Sequence, residues 1–230
     1  MRRRLLNLFD ANLYEFVDLG LSVKWATCNV GAEKPEDYGM YFAWGEPDGY
    51  YAAYESGSLV IKDKDGNDTN AKSSGFDWTD YKWSNGDSYS ITKYCVDSSY
   101  GTVDNKTVLE QVDDAAYVSD NTCRMPTYAE IEELITSTTS AWTTNYNNSG
   151  VSGMIFKSKV DTNKSIFVPA AGYVSDGSLY DVGSNGYLWS SSLYESDSRY
   201  AWHLYFYSSG VYSNYYRRYY GFSVRLVQDK

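Results

Sequence analysis

Residues 187–220 read YLWSSSLYESDSRYAWHLYFYSSGVYSNYYRRYY, and this tyrosine tract decides the prediction of both fold and function. Ten of its 34 residues are tyrosine and eight are serine. Tyrosine offers a large, rigid and amphipathic contact surface, and serine adds adaptable hydrogen bonds, as in antibody combining sites. The same aromatic residues also suit half-buried β-strands. The tract therefore indicates either a surface that recognises a partner or a set of structural strands.

Within the tract, residues 201–207 (AWHLYFY) alternate strictly between two kinds of side chain. Successive side chains of a strand point to opposite faces of its sheet. We expect one face to enter the core, and it carries Trp202, Leu204 and Phe206. We expect the other face to meet solvent, and it carries His203, Tyr205 and Tyr207. The alternation predicts a strand that presents polar aromatic groups at the surface.

Most of the remaining chain predicts short strands, with two helices between them. Apolar residues recur at helical spacing within residues 106–118, which predicts that part of this segment is helical. In RMPTYAEIEELITS, residues 124–137, Thr127 is followed three positions later by Glu130. This pair is a capping box and predicts the start of a second helix.

The absence of an internal repeat or long linker favours one domain. We interpret residues 1–12 as an N-terminal tail and 13–230 as a single domain, with 48–77 as an insertion or elaborated loop. The Asp65-Gly66 step in that loop predicts a β-hairpin turn. Acidic residues around it resemble a calcium loop, but Ser74 stands where an EF-hand requires glutamate. We therefore predict an ordinary turn, no metal and no cofactor.

Charge limits the classes of partner. The net charge of −10 and a pI near 4.6 disfavour nucleic acid, whose phosphates require a basic footprint. From residue 187 to the end, five basic residues outnumber three acidic ones. This local excess of basic residues indicates either an anionic partner or an uneven distribution of solvent-exposed charges that has no function.

Three cysteines, Cys28, Cys95 and Cys123, lack the spacing of a zinc site. We expect buried free thiols, with one disulfide as the alternative. The opening MRRRLLNLF lacks the apolar centre of a signal peptide, and no stretch approaches the ~20 apolar residues needed to span a bilayer. We predict no membrane insertion, and a place on a phage virion or cell surface after another exit route or loss of a leader.

Several stretches between about residues 14 and 227 resemble the "major paralogous domain" proteins of gut bacteria and their phages. The stretches that carry the likeness include YEFVDLGLSVKWATCNVGAEKPEDYGMYFAWGE, YGTVDNKTVLE, RMPTYAEIEEL, IFVPAAGY, GYLWSSSLY and YYGFSVRLV. That group belongs to the formylglycine-generating-enzyme-like branch of the C-type lectin fold. The resemblance implies an α+β, C-type-lectin-like fold with short antiparallel strands, two helices and long loops.

The chain is also similar to the variable proteins of diversity-generating retroelements. They likewise have a W-S-S-like segment, a diversified tract and a closing G-F-x-V-R-like strand. Mutation of adenines in AAC-type codons yields Tyr, Ser, Asn, Asp, His and Arg, but neither Trp nor Glu. The resemblance therefore implies that residues 187–227 form a variable ligand-binding region. Trp189, Glu195 and Trp202 would then belong to its scaffold.

The resemblance does not carry enzyme chemistry to this chain. The enzyme branch works through a pair of thiols in its C-terminal half, whereas no cysteine follows Cys123. The calcium-binding signatures of sugar-binding lectins are also missing from the sequence. His203 is the only histidine and has no Ser or Cys nucleophile in a recognisable motif beside it. We predict that the protein is not an enzyme.

The leading hypothesis is a non-enzymatic protein that recognises a macromolecular receptor, a cell-surface protein or glycan. Its predicted ligand-binding residues are aromatic or polar members of the tyrosine tract: Tyr194, Ser196, Asp197, Arg199, Tyr200, His203, Tyr205, Tyr207, Tyr212, Asn214, Tyr215, Tyr216, Arg217, Arg218, Tyr219 and Tyr220. The alternative is a structural or adhesive surface module whose tyrosine-rich strands pack against other subunits. A homo-oligomer is compatible with both.

Overall fold

A computed structural model describes residues 14–72 and 74–230 of the chain. Strands make up 39% and helices 10% of the structure, so the protein is β-rich. The expectation of an α+β, C-type-lectin-like fold is therefore wrong. The N-terminal tail predicted for residues 1–12 lies outside the described residues.

The elements of the described chain are short. The strands are β1 (Phe16–Val17), β2 (Val23–Asn29), β3 (Tyr41–Phe42), β4 (Tyr51–Glu55), β5 (Ser58–Lys62), β6 (Thr138–Thr143), β7 (Gly153–Ser158), β8 (Ser165–Pro169), β9 (Tyr173–Ser175), β10 (Ser178–Tyr180), β11 (Asn185–Leu193), β12 (Tyr200–Tyr207), β13 (Gly210–Arg217), β14 (Phe222–Ser223) and β15 (Arg225–Asp229). The α-helices are α1 (Ala115–Ser119) and α2 (Tyr128–Ser137), and 3-10 turns occupy Gln111–Asp113 and Tyr146–Asn148.

A five-stranded sheet with the order β13-β12-β11-β14-β3 is the centre of the fold. Two three-stranded sheets, β1-β2-β15 and β6-β7-β8, and the hairpins β4-β5 and β9-β10 surround it. Neighbouring strands are antiparallel except for β11 and β14, which run parallel. The tyrosine tract supplies β12, β13 and most of β11 to the central sheet.

Both faces of the central sheet are covered by apolar side chains. Leu188 and Trp189 are adjacent on β11 and enter different hydrophobic clusters. Leu204 and Phe206 of β12 share the cluster that contains Leu188 and the inward side of α2. Trp189 belongs to the other cluster, together with the aromatic side chains of β3 and β14. A side chain on either face of this sheet can therefore be buried.

The capping box correctly predicts where α2 begins. The Thr127 side chain accepts a hydrogen bond from the Glu130 amide at 3.3 Å, and the Glu130 carboxylate accepts one from the Thr127 amide at 2.8 Å. These bonds satisfy amides that have no partner within the first turn of a helix. Because the signal lies in these two residues alone, the sequence was sufficient to predict where α2 begins.

The helix predicted within residues 106–118 is only five residues long. The Leu109 amide bonds to the Ser191 carbonyl at 2.9 Å, which holds this part of the chain extended beside β11. The Asp114 carboxylate then accepts the amides of Ala116 and Tyr117 and starts α1. The prediction that part of this segment is helical is therefore confirmed, and the residues before Gln111 are not helical because pairing with β11 uses their backbone groups.

The predicted loop at residues 48–77 contains the hairpin β4-β5, which reverses at Ser56 and Gly57. The Asp65-Gly66 step forms a second turn, in which the Gly66 amide bonds to the Asp63 carbonyl at 2.9 Å. All three cysteines are buried free thiols, as predicted. In the described ranges, no helix has the length and apolar character needed to cross a membrane.

Candidate functional site

The candidate site is the hairpin β12-β13 at the edge of the central sheet. β13 is the edge strand, and none of its eight residues is buried. β12 is covered more fully because it lies between β11 and β13. Side chains on both faces of β13 are therefore accessible, so the hairpin presents two aromatic surfaces rather than one.

The first surface, here called the Tyr205 face, is built from eight tyrosines of β9 to β13 and the segment after it. They are Tyr173, Tyr180, Tyr205, Tyr207, Tyr212 and Tyr216, which are exposed or half-buried, and Tyr187 and Tyr220, which are buried beneath them. Their ring centroids follow one another at 4.6–6.3 Å, which is the range of favourable aromatic pairs. Tyr212 is 48% exposed and Tyr216 is 37% exposed. The face is continuous and partly open to solvent.

The second surface, here called the Tyr215 face, lies on the other side of the hairpin. It consists of Tyr128, Tyr194, Tyr200, Trp202 and Tyr215. Tyr215 is 40% exposed and stacks on Tyr194 with their centroids 3.8 Å apart. Trp202 stacks on Tyr128 of α2 at 4.2 Å, so the helix supports this face from below.

Twelve of the sixteen predicted site residues are exposed or half-buried. They are Tyr194, Ser196, Asp197, Arg199, Tyr200, Tyr205, Tyr207, Tyr212, Asn214, Tyr215, Tyr216 and Arg217. Those on β12 and β13 divide between the two faces, and the others lie at the connection between β11 and β12. Four predicted residues are instead buried: His203, Arg218, Tyr219 and Tyr220.

The prediction that His203 faces solvent is wrong. The side chain is 1% exposed and lies 4.9 Å from the ring of Phe222 and 5.7 Å from that of Trp189. Burial lowers the pKa of His203 to about 3 because the charged imidazolium would lose its hydration. Its Nδ1 atom has no hydrogen-bond partner among the described residues. His203 is a neutral part of the core, because the second face of the sheet is covered as well.

Arg218 is also internal, although it follows the exposed Arg217. Its guanidinium donates to the Tyr81 hydroxyl and to the carbonyls of Tyr94, Ser198 and Lys93, at 2.9–3.0 Å. It lies 4.8 Å from the ring of Trp44. These bonds join the tract to the segment around residues 81–94, so Arg218 holds the fold together rather than contacting a ligand.

Tyr219 and Tyr220 are packed beneath the hairpin instead of at its surface. The Tyr219 ring lies 5.0 Å from Trp78, and the Tyr220 ring stacks on Tyr173 at 5.4 Å. Both side chains belong to the larger hydrophobic cluster. Their position after the end of β13 turns the chain back towards β14, which explains why they point inward.

The basic excess of residues 187–230 does not form a basic surface. Arg225 is fully buried and bonds to Asn29 and to backbone carbonyls. The Arg199 guanidinium makes three hydrogen bonds to the carboxylate of Asp197, at 2.6–3.2 Å. Only Arg217 among the arginines of the tract is exposed. The interpretation of an anionic partner therefore loses its structural support.

Sequence reasoning missed part of the Tyr205 face. Tyr173 and Tyr180 belong to the hairpin β9-β10, and Asp181 follows it directly. The Asp181 carboxylate accepts a hydrogen bond from the Tyr187 hydroxyl at 2.8 Å. The Asp176-Gly177 step between two tyrosine-containing strands is a hairpin signal that could have identified this element.

A cleft of about 420 Å³ lies beside α1. It contains Cys123 and Asp114. Burial raises the pKa of the Cys123 thiol, which disfavours the nucleophilic thiolate. The Asp114 carboxylate accepts backbone amides, including that of Met125 at 2.9 Å. The Asp114 carboxylate is thus engaged by backbone amides. The Cys123 thiol and the Asp114 carboxylate do not form a pair of nucleophile and adjacent base.

A family model described as "Domain of unknown function (DUF8237)" matches residues 80–227. That span contains the whole hairpin, both of its aromatic faces and Asp181. No curated protein matches the chain, and no solved structure matches it.

Proposed function

This chain belongs to the DUF8237 family, and we propose that it is a non-enzymatic ligand-binding protein whose hairpin β12-β13 contacts a macromolecule on a cell surface. The observation that carries the proposal is the edge strand β13, in which Tyr212, Tyr215 and Tyr216 are all more than a third exposed. Interface hot spots are enriched in tyrosine, and a monomer rarely exposes contiguous aromatic surface without a partner.

The surroundings of these three tyrosines suit binding. Each ring is held by other aromatic rings: Tyr215 by Tyr194, Tyr212 by Tyr205 and Tyr207, and Tyr216 by Tyr220. A ring held in one orientation loses little conformational freedom when a partner covers it. Ser213 and Asn214 lie between Tyr212 and Tyr215 on β13 and can adapt their hydrogen bonds to the partner.

Alanine substitutions at the exposed tyrosines test the proposal. We expect Tyr212→Ala, Tyr215→Ala and Tyr216→Ala each to weaken binding to intact bacterial cells by about 10-fold. We expect the melting temperature to change by no more than about 2–4 °C, because these side chains are only partly buried. Flow cytometry with labelled protein measures the first quantity, and thermal unfolding measures the second.

Val160→Ala is the control for that experiment. Val160 is 79% exposed and lies in the turn between β7 and β8, on a different sheet. Its substitution removes an exposed apolar side chain outside the hairpin and should leave cell binding unchanged. Unaltered binding by all three tyrosine variants would contradict the proposal.

The adhesive alternative is favoured by one observation. The outer edge of β13 has no strand partner among the described residues, so a second subunit could extend the sheet there. The same three variants distinguish the two functions. Under the alternative they would dissociate an oligomer in light scattering, whereas a receptor-binding protein would keep its oligomeric state.

We further propose that the tract is diversified, as in the retroelement proteins that it resembles. The resemblance alone would allow variation along the whole tract. We exclude its buried positions, because free variation at His203 or Arg218 would disrupt the core. The exposed or half-buried residues between Tyr194 and Arg217 tolerate replacement more readily. Trp202 packs within the Tyr215 face, and tryptophan cannot arise from an AAC codon by mutation of adenines. We therefore place Trp202 among the constant positions.

The flanking DNA tests diversification. We expect a near-copy of the codons for residues 187–227 beside a reverse-transcriptase gene. AAC codons in that copy should fall at exposed positions of the hairpin and be missing from positions 218–227, which are all buried. A flanking region without such a copy would remove the diversification proposal and leave the binding proposal standing.

A further inference from the structure

Lys72 is a buried lysine that lies between two carboxylates, outside the candidate site. Its Nζ atom lies 2.8 and 3.0 Å from the two oxygens of Glu46 and 3.5 Å from Oδ1 of Asp80. It also donates to the Asp80 carbonyl at 2.9 Å. The side chains of Lys72, Glu46 and Asp80, here called the Lys72 cluster, are only 1%, 7% and 9% exposed. One amine and two carboxyl groups are thus held together where water has little access.

The surroundings of the Lys72 cluster are largely aromatic. The Lys72 Nζ atom lies 5.2 Å from the centroid of the Phe76 ring, which is fully buried and packs edge-on against Tyr50. Burial raises the pKa of the Asp80 carboxyl because a poorly hydrated site disfavours its charged form. A desolvated lysine amine is a nucleophile, and a protonated carboxyl group is open to its attack. The cluster therefore combines the two reactants of a condensation.

The two carboxyl groups meet the amine in different ways. Glu46 accepts a hydrogen bond from Nζ and lies nearly equidistant from it with both oxygens, so the amine faces oxygen lone pairs. That arrangement suits exchange of protons. The Oδ1 and Oδ2 atoms of Asp80 accept the backbone amides of Asp77 and Phe76, each at 3.2 Å. Such donors stabilise the negative charge that builds on an oxygen when a nucleophile adds to the carboxyl carbon.

We propose that the side chains of Lys72 and Asp80 join in an amide bond, with Glu46 as the proton relay. The Lys72 nitrogen forms a bond to Cγ of Asp80, and the bond from Cγ to one carboxyl oxygen breaks. Two of the three ammonium protons pass through Glu46 to that oxygen, which leaves as water, and Glu46 returns to its initial state. The step is a condensation, so it needs no oxidant or reductant. Fixed proximity replaces a bimolecular encounter, and the exclusion of water protects the product.

The amide bond would lock a segment that supports the Tyr205 face. The turn of the hairpin β9-β10 rests on this segment, because the Gly177 amide donates to the Gly75 carbonyl at 3.1 Å and the Asp176 amide to the Phe76 carbonyl at 3.2 Å. A covalent link restricts the unfolded chain as well as the folded one. The link between residues 72 and 80 therefore stabilises the base on which two tyrosines of the face are carried.

Mass spectrometry of the intact, denatured protein tests the proposal. We expect a mass lower than that of the sequence by one water molecule. A tryptic digest then locates the loss, because trypsin cleaves after lysine and does not cleave after an acylated lysine. An unlinked chain gives the peptides 65–72 and 73–82. The linked chain gives the single peptide 65–82, uncut at Lys72 and lighter by one water molecule.

Glu46→Gln is the deciding variant, because it removes the proton relay and keeps nearly the same shape. We expect it to have the full mass of its own sequence and to be cleaved after Lys72. Glu55→Gln is the matched control. Glu55 pairs with Lys62 at 2.6 Å, and both side chains are far more exposed than those of the Lys72 cluster. The control should lose one water molecule as the unaltered protein does.

A full mass for the unaltered protein, or its complete cleavage after Lys72, would overturn the proposal and leave the cluster as a network of ion pairs. A succinimide at Asp65-Gly66 would also cost one water molecule, but trypsin would still cleave after Lys72. A branched peptide that joins Lys72 to Glu46 would overturn the roles assigned to the two carboxyl groups. The main measurement uses the unaltered protein and no cells, so it is independent of the binding proposal and of whether Glu46→Gln folds.

Discussion

Replacing Arg218 by methionine is expected to lower the free energy of unfolding by at least about 3 kcal/mol. Three of its four hydrogen bonds go to the backbone carbonyls of Lys93, Tyr94 and Ser198, which no substitution can remove. Methionine fills similar space but donates no hydrogen bond, so buried acceptors lose their partner. Each such loss costs about 1–3 kcal/mol, which exceeds the gain from no longer burying a charge.

Arg217→Met is the matched control for this experiment. Arg217 is the preceding residue, is exposed, and donates a hydrogen bond to the Tyr219 hydroxyl at 3.3 Å. Its substitution should change stability by no more than about 0.5 kcal/mol. Urea unfolding of both variants provides the measurement. Equal effects at the two positions would contradict the internal role of Arg218.

Acid is expected to destabilise the protein through His203. In the unfolded chain, a histidine takes up a proton below its ordinary pKa of 6.5, whereas burial lowers the pKa of His203 in the folded protein to about 3. Stability that is present above pH 6.5 is therefore lost as the pH falls from 6.5 towards 3. Between pH 7 and pH 5 the expected loss is about 2 kcal/mol.

The comparison with His203→Phe isolates this effect. His203 is the only histidine of the chain, so the variant removes the one side chain whose ordinary pKa lies between these two pH values. Carboxylates titrate in both proteins, and their contributions cancel in the comparison. Urea unfolding at pH 7 and pH 5 should show a smaller loss for the variant by about 2 kcal/mol. An identical pH dependence in both proteins would show that His203 is not held neutral.

Two neighbouring arginines of the tract differ in a way that the sequence could not predict. Arg217 and Arg218 have the same chemistry and the same aromatic neighbours in sequence, and both were predicted to contact a ligand. β13 ends between them, and the turn that follows directs Arg218 inward to four acceptors supplied by distant segments. No local pattern contains those acceptors, so no local pattern could separate the two residues.

The strand 201–207 shows the same limit. Its alternation correctly predicted that Leu204 and Phe206 enter a core. It did not predict that Trp189 and Phe222, from strands β11 and β14, would cover His203 on the opposite face. An alternating sequence shows that the two faces of a strand differ, but it does not show whether other segments of the chain cover one face or both.

What the sequence determined by itself was local: the capping box of α2, the alternating strand, the buried thiols and a surface chemistry dominated by tyrosine. These features depend on neighbours within a few residues, whose geometry is set by backbone periodicity and side-chain type. The tertiary structure decided the β-rich architecture, the burial of His203 and Arg218, and the meeting of Asp181 with the Tyr205 face. Those outcomes depend on which distant segments pack together, because burial and charge pairing are properties of the assembled chain.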